Sequence, residues 1–176
     1  MKTLLRLLFC LVLSAPLLTS AEELKVGDPA PLFTLKNQDG VDFSLSDRKA
    51  KGWTVLYFYP KSGTPGCTKE ACAFRDAINK IKALDAEVYG ISSDSVADQK
   101  AFHTEHKLGF DLLADSEMRV IQEYEAKIPL LGMAKRWTFI IDPELKIRSI
   151  EKDVDPAMEA ARIADELLGF QHADKK

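Results

Sequence analysis

The feature that most constrains the fold is an apolar run, Trp53–Tyr59, that leads directly into a turn and then into a helical pattern. All seven residues are aromatic, aliphatic or threonine, which is typical of a strand buried on both faces. Residues 60–66 contain two prolines and two glycines, and residues 67–83 then follow helical spacing. A buried strand that turns straight into a helix predicts an α/β protein built around that strand.

Weaker patterns of the same kind surround this unit. Asp39-Gly40 predicts the turn of an N-terminal β-hairpin. Further strands are expected within 87–92, 110–113, 136–141 and 146–150, helices within 94–107, with Ser95 as a cap, 115–126 and 155–169, and a loop at 127–135. We therefore predict a central mixed β-sheet flanked by helices, in a single domain at residues 22–176.

The first 21 residues predict a secretory signal peptide. Lys2 and Arg6 precede an apolar stretch that ends at the small residue Ala21. An uncleaved membrane anchor is the alternative, but the stretch is short and Pro16 interrupts it. The prediction is a periplasmic or secreted protein without stable membrane insertion after cleavage.

The charge of the remaining chain excludes some partners. Lys2 and Arg6 are the only charged residues before residue 22, so 22 of the 24 basic residues and all 27 acidic residues remain, a net charge of −5. A mildly acidic surface argues against nucleic acid and against anionic membranes as partners.

Cys67 occupies a position that can activate a thiol. Pro65 is favoured as the first helical residue, which places Thr64 at the N-cap and Cys67 third in the helix. We expect the Thr64 hydroxyl to accept a hydrogen bond from a backbone N–H group. The unpaired N–H groups and the helix dipole at this end favour a thiolate, which is the reactive form of cysteine.

The helical spacing also predicts how Cys67 is exposed. It lies at the outer end of an apolar stripe, whose members are Cys67, Ala71, Phe74, Ile78 and Ile81. Glu70 lies mostly off this stripe, so on spacing alone it belongs to a solvated face. We expect the sulfur in a shallow pocket with a dry floor and an open mouth.

Cys72 follows five residues after Cys67. In an ideal helix the two Cα atoms are about 8.5 Å apart, beyond the roughly 7 Å that a disulfide allows. Either Cys72 takes no part, or the start of the helix unwinds when a bond forms. A permanent structural disulfide is the ordinary expectation for an exported protein, but this geometry argues against it.

The segment Pro60-x-x-x-Thr64-x-x-Cys67 resembles the active-site signature of peroxiredoxins. The wider stretch 58–76 resembles their bacterioferritin comigratory protein, or peroxiredoxin Q, branch, and so do residues 26–31, 90–92 and 136–142. The resemblance implies a thioredoxin-like fold and thiol-dependent reduction of hydrogen peroxide and organic hydroperoxides. It implies no metal or organic cofactor and a thioredoxin-like dithiol reductant as partner. We expect a monomer or a weak homodimer.

The same resemblance implies roles for six residues. They are Cys67 as the peroxidatic cysteine, Cys72 as the resolving cysteine, Thr64 and Arg136 as groups that position the peroxide and stabilise the thiolate, Pro60 as a shield over the sulfur, and Glu70 as the group that orients the arginine.

Two features depart from this family pattern. Residues 126–135, just before Arg136, differ from the loop of typical members, and the predicted export signal is unusual. Two other functions therefore remain open. One is an exported thioredoxin-like thiol–disulfide oxidoreductase, although its usual motif is Cys-x-x-Cys, and the other is a non-catalytic thioredoxin-fold binding module.

Overall fold

A computed structural model of the chain describes residues 23–173. The strands are β1 (Thr34–Asn37), β2 (Asp42–Ser44), β3 (Trp53–Phe58), β4 (Ala86–Ser92), β5 (Asp111–Ala114), β6 (Lys127–Ile128), β7 (Met133–Ala134), β8 (Trp137–Ile141) and β9 (Ile147–Glu151). The helices are α1 (Pro65–Lys82), α2 (Val96–His106), α3 (Arg119–Glu123) and α4 (Glu159–Ala173).

Seven of these strands form one mixed sheet in the order β2-β1-β5-β4-β3-β8-β9. β3 pairs in parallel with β4 and antiparallel with β8, and β4 pairs in parallel with β5. β1 and β2 form an antiparallel hairpin at one edge. The predicted mixed sheet, flanking helices and N-terminal hairpin are confirmed. Since β3 and β4 are parallel, their carboxyl ends lie at the same edge of the sheet.

The apolar run is buried because both faces of β3 are covered. Val55 and Tyr57 face a core that includes residues of α1, α2 and α4, whereas Leu56 and Phe58 face a second core that includes residues of α3. Side chains of a strand alternate between faces, so a strand covered on both sides shows a continuous apolar pattern.

The apolar stripe of α1 packs on this sheet as predicted. All five of its members are buried. Within the stripe, the ring of Phe74 stacks on that of Tyr57 with 4.8 Å between the ring centroids. This packing fixes α1 to the central strand, and the helix start therefore has a defined position at the sheet edge.

The segment expected as a loop, residues 127–135, contains a small hairpin. Lys127 pairs with Ala134 and Ile128 with Met133, and a tight turn between them places Leu130 at a φ of 68°. Each of these strands has only two residues, which are too few to show the alternating pattern that predicts a strand.

Two predicted helices begin later than expected. The Asp115 carboxylate accepts hydrogen bonds from the backbone of Arg119 and Ile121, and the helix there is only Arg119–Glu123. The Asp155 carboxylate likewise bonds the backbone of Ala157, and α4 starts at Glu159 and continues to Ala173. An aspartate that closes a local turn resembles an N-cap in sequence, so the prediction placed the helix start too early.

The predicted signal peptide, residues 1–21, lies outside the described residues. Within residues 23–173, no helix has both the length and the apolar character needed to cross a lipid bilayer.

Replacement of Phe74 tests the packing of α1 on the sheet. We expect Phe74→Ala to lower the free energy of unfolding by about 3–5 kcal/mol, because a fully buried ring is removed and a cavity remains. Urea unfolding measures the change. Lys80→Ala is the control, since Lys80 lies on the same helix in an exposed ion pair with Asp165, and its effect should stay below about 1 kcal/mol. Equal effects of the two changes would contradict this packing.

Candidate active site

The sheet brings Arg136 to the cysteine although 69 positions separate them. Phe58, the last residue of β3, lies opposite Trp137, the first residue of β8. Arg136 therefore lies beside the chain that leaves β3 and enters the loop before α1. Pairing between the two strands fixes the arginine at the helix start.

The Arg136 guanidinium contacts the sulfur directly. Its Nη2 donates a hydrogen bond to Cys67 Sγ over 3.3 Å. A fixed positive group and the N-terminal end of α1 both favour a negative sulfur at this point. The structure thus places two sources of positive charge at the sulfur, the guanidinium and the helix start.

Cys67 is less exposed than predicted. The residue is 1% exposed, so the expectation of a pocket with an open mouth is wrong. The guanidinium lies against the first turn of the helix, where it covers the sulfur. The helical spacing of residues 67–81 cannot reveal this cover, because Arg136 comes from a distant part of the sequence.

Glu70 holds the other side of the guanidinium. Its Oε2 accepts a hydrogen bond from Arg136 Nη1 in an ion pair, and its Oε1 has no hydrogen-bond partner among residues 23–173. Burial raises the pKa of Glu70 to about 7, because the attraction of Arg136 only partly offsets the loss of water, and the nearby Glu159 opposes a second negative charge.

The solvated helix face expected for Glu70 from spacing is therefore wrong. Glu70 is 0% exposed. The helical pattern predicts only the contacts of α1 with the sheet. Arg136, the residue before β8, covers a further part of the helix surface, and Glu70 lies beneath it. The ion pair places Glu70 where it can orient the guanidinium.

Gly66 allows this close approach. A Cβ atom at this position would lie 3.2 Å from Arg136 Nη2, a distance too short for a relaxed contact. The absence of a side chain at Gly66 lets the guanidinium rest on the helix start while it reaches the sulfur.

Thr64 is at the N-cap, but its hydroxyl does not cap the helix. Oγ1 donates to the carbonyl oxygen of Lys61 over 3.0 Å, and the predicted bond from a backbone N–H group is wrong. Pro65 has no N–H group to offer, and the hydroxyl turns toward the loop instead. The Thr64 side chain thus leaves the backbone N–H groups of the first turn available to other acceptors.

The remaining predicted residues lie nearby on the same segment. Pro60 is half-buried in the bend after β3. Cys72 is partly exposed, and both it and Cys67 are free thiols within the continuous helix α1. Residues 23–173 contain no group of three or more His, Cys, Asp or Glu side chains placed to hold a metal ion.

Sequence reasoning missed a polar cluster beside this site. Tyr59, Ser62, Asp94 and Gln99 are joined by hydrogen bonds behind the loop that precedes α1. These residues come from two separate stretches, 59–62 and 94–99, and follow no spacing rule, so no signal in the sequence could have assembled them.

The chain is similar to a known protein family and to several of its members. The family model described as the AhpC/TSA family matches residues 26–150. The chloroplastic peroxiredoxin Q of Triticum aestivum is 49% identical over 117 residues, which are 66% of this chain and 54% of that protein, so the chain spans about half the length of this relative.

Two solved structures share the fold. Peroxidoxin BcpB from Mycobacterium tuberculosis has a TM-score of 0.78 at 34% identity, over 84% of this chain and 98% of that one. The bacterioferritin comigratory protein of Xanthomonas campestris has a TM-score of 0.73 at 25% identity, over 78% of this chain and 91% of that one. The predicted thioredoxin-like fold is confirmed.

These comparisons contradict the prediction of a periplasmic or secreted protein, which is therefore wrong. The plant relatives are chloroplastic proteins. A basic start without acidic residues is common to several kinds of targeting segment, so the composition of residues 1–21 does not by itself identify a destination.

The buried carboxyl group predicts a pH dependence of stability. Because the pKa of Glu70 rises from 4.5 to about 7 on folding, the folded chain binds a proton that the unfolded chain has lost. Stability from this group is complete below about pH 4.5 and disappears as the pH rises through about 7. We expect wild type to lose about 3 kcal/mol relative to Glu70→Gln across this window, as measured by urea unfolding.

Asp76→Asn is the control, because Asp76 is an exposed carboxylate of the same helix. Its stability curve should keep the wild-type loss between these pH values. Parallel curves for wild type and Glu70→Gln would show that Glu70 does not titrate there.

Proposed function

The chain belongs to the AhpC/TSA family, and we propose that it is a thiol peroxidase that reduces hydrogen peroxide and organic hydroperoxides through Cys67. The observation that carries the proposal is the hydrogen bond from Arg136 Nη2 to Cys67 Sγ at the start of a helix. A cationic donor on a nearly buried thiol is an arrangement that activates sulfur as a nucleophile.

The first step is attack by the Cys67 thiolate on one peroxide oxygen. An S–O bond forms, the O–O bond breaks, and the other oxygen leaves as hydroxide or alkoxide and takes up a proton to become water or alcohol. The sulfur is oxidised to a sulfenic acid. Arg136 and the backbone N–H of Cys67 stabilise the charge that builds on the leaving oxygen.

Three further residues prepare this step. Glu70 holds Arg136 in place by the buried ion pair. The family resemblance assigns the Thr64 hydroxyl to positioning the peroxide and Pro60 to shielding the sulfur. Thr64 is at the N-cap of α1, and Pro60 is half-buried in the bend after β3.

The second step forms a disulfide. The start of α1 unwinds, the Cys72 thiol condenses with the Cys67 sulfenic acid, and one water molecule leaves as the S–S bond forms. A thioredoxin-like dithiol partner then reduces the disulfide and is itself oxidised. The partial exposure of Cys72 supports its access to a reagent from outside.

The proposed substrates include organic hydroperoxides because a protein of similar structure reduces them. The Xanthomonas campestris protein has alkyl peroxide reduction activity. A sulfur that attacks the terminal peroxide oxygen needs little contact with the organic group, so the same geometry accepts either substrate.

Oxidation of the reduced protein by one equivalent of hydrogen peroxide tests the proposal. We expect a loss of two hydrogen atoms in mass, mapped to a peptide that joins Cys67 and Cys72. Cys67→Ser should abolish peroxide consumption, because the nucleophile is gone. Cys72→Ser should still consume one peroxide and gain one oxygen atom on Cys67. Peptide mapping by mass spectrometry separates these products and excludes any change at Cys10.

Full peroxide turnover by Cys67→Ser would disprove the assignment. If the unsubstituted chain reduces insulin efficiently but does not consume peroxide, the result would instead favour a thiol–disulfide oxidoreductase. A chain inactive in both assays, with Cys67 unreactive, would favour a binding module.

A further inference from the structure

A buried glutamine outside the site described above has all of its hydrogen-bonding atoms engaged. Gln99 of α2 is 0% exposed. Its Nε2 donates to Ser92 Oγ and to the Leu113 carbonyl oxygen, each over 3.0 Å, and its Oε1 accepts from the Tyr59 hydroxyl over 2.7 Å. These contacts fix the orientation of the amide group and join α2, β4 and β5 to the chain that leaves β3.

The hydrogen bonds continue from Tyr59 into the loop before α1. The Tyr59 hydroxyl lies 3.1 Å from Ser62 Oγ. The backbone N–H of Ser62 donates to Asp94 Oδ2 over 2.7 Å, and Ser92 Oγ donates to the same oxygen over 2.8 Å. Both the side chain and the backbone of Ser62 are therefore held by partners that Gln99 connects.

This loop leads directly to the reactive cysteine. Ser62 lies between Lys61 and Thr64, which bond one another over 3.0 Å, and the helix begins at Pro65. Hydrogen bonds therefore hold the loop at Tyr59, at Ser62 and between Lys61 and Thr64, and Cys67 follows three residues after Thr64. The position of the helix start relative to Arg136 depends on this loop.

We propose that Gln99 is a positioning residue that holds the loop at residues 59–64, and through it the start of α1, in the conformation from which Cys67 attacks the peroxide. The proposal rests on the proposed peroxidase function. The hydrogen bonds around Gln99 keep Cys67 beside Arg136 during the first step, and they resist the unwinding that the second step needs.

The two steps therefore respond in opposite directions to loss of the amide. A looser loop places Cys67 less accurately, so sulfenic acid forms more slowly. The same looseness makes unwinding of the first helical turn easier, so Cys72 reaches the sulfenic acid sooner. A glutamine that served stability alone would not divide the steps in this way.

Rapid-quench mass spectrometry of the full chain tests the proposal with Gln99→Met. In a Cys72→Ser background, the rate constant for oxygen gain on Cys67 with hydrogen peroxide should fall about three- to tenfold, the factor that corresponds to the net free energy of a hydrogen bond. With Cys72 present, the rate of disulfide formation from the sulfenic acid should rise by a similar factor.

Gln38→Met is the matched control. Gln38 is also buried, and it bonds the side chain of Asp111 and the backbone of Leu112 on β5, the strand that Gln99 also contacts. It makes no hydrogen bond to the cysteine loop among the contacts found within residues 23–173. Both rates should equal those of the unsubstituted chain.

Tyr59→Phe keeps the proposal testable if Gln99→Met does not fold. This change removes only the hydroxyl that joins Gln99 to Ser62 and leaves the stacked ring, and it should shift both rates in the same directions. Unchanged rates, or an equal fall in both steps, would overturn the proposal. An unsubstituted chain that forms no sulfenic acid would show instead that the proposed function itself has failed.

Discussion

The site depends on one chain of contacts, in which Glu70 holds Arg136 and Arg136 holds the sulfur of Cys67. Pairing of β3 with β8 places the arginine, and packing of α1 on β3 places the other two residues. Strand pairing and helix packing therefore determine which charged groups face the sulfur. A guanidinium that is already oriented needs no rearrangement when charge develops in the reaction.

This arrangement has an energetic cost that the rest of the molecule offsets. Burial raises the pKa of Glu70, and one of its oxygens has no hydrogen-bond partner among residues 23–173. An ion pair in such a place is weak evidence for stability, so the apolar packing on both faces of β3 must hold the helix in position. The site is thus a destabilised region supported by a well-packed core, as is common where a fold serves chemistry.

The sequence predicted the local structure well because local rules governed it. The strand at Trp53, the proline at the helix start and the stripe through Phe74 all follow from short-range patterns. Burial of Glu70 and the cluster around Gln99 depend on contacts between distant segments, and no spacing rule contains them. The Thr64 bond to Lys61 is local, but the N-cap pattern predicts a different partner for that hydroxyl. Arg136 entered the prediction only through the family resemblance. The predicted location was wrong because a basic start without acidic residues is common to several kinds of targeting segment.

The central claim is that the Cys67 sulfur is the attacking group because a helix start and Arg136 both face it. Rapid-quench mass spectrometry of the Cys72→Ser chain measures its reactivity directly, as the rate constant for oxygen gain on Cys67 with hydrogen peroxide at neutral pH. The account predicts that adding Arg136→Met lowers this rate constant about 10²-fold, the typical cost of removing one donor that stabilises developing charge. An unchanged rate constant would contradict it.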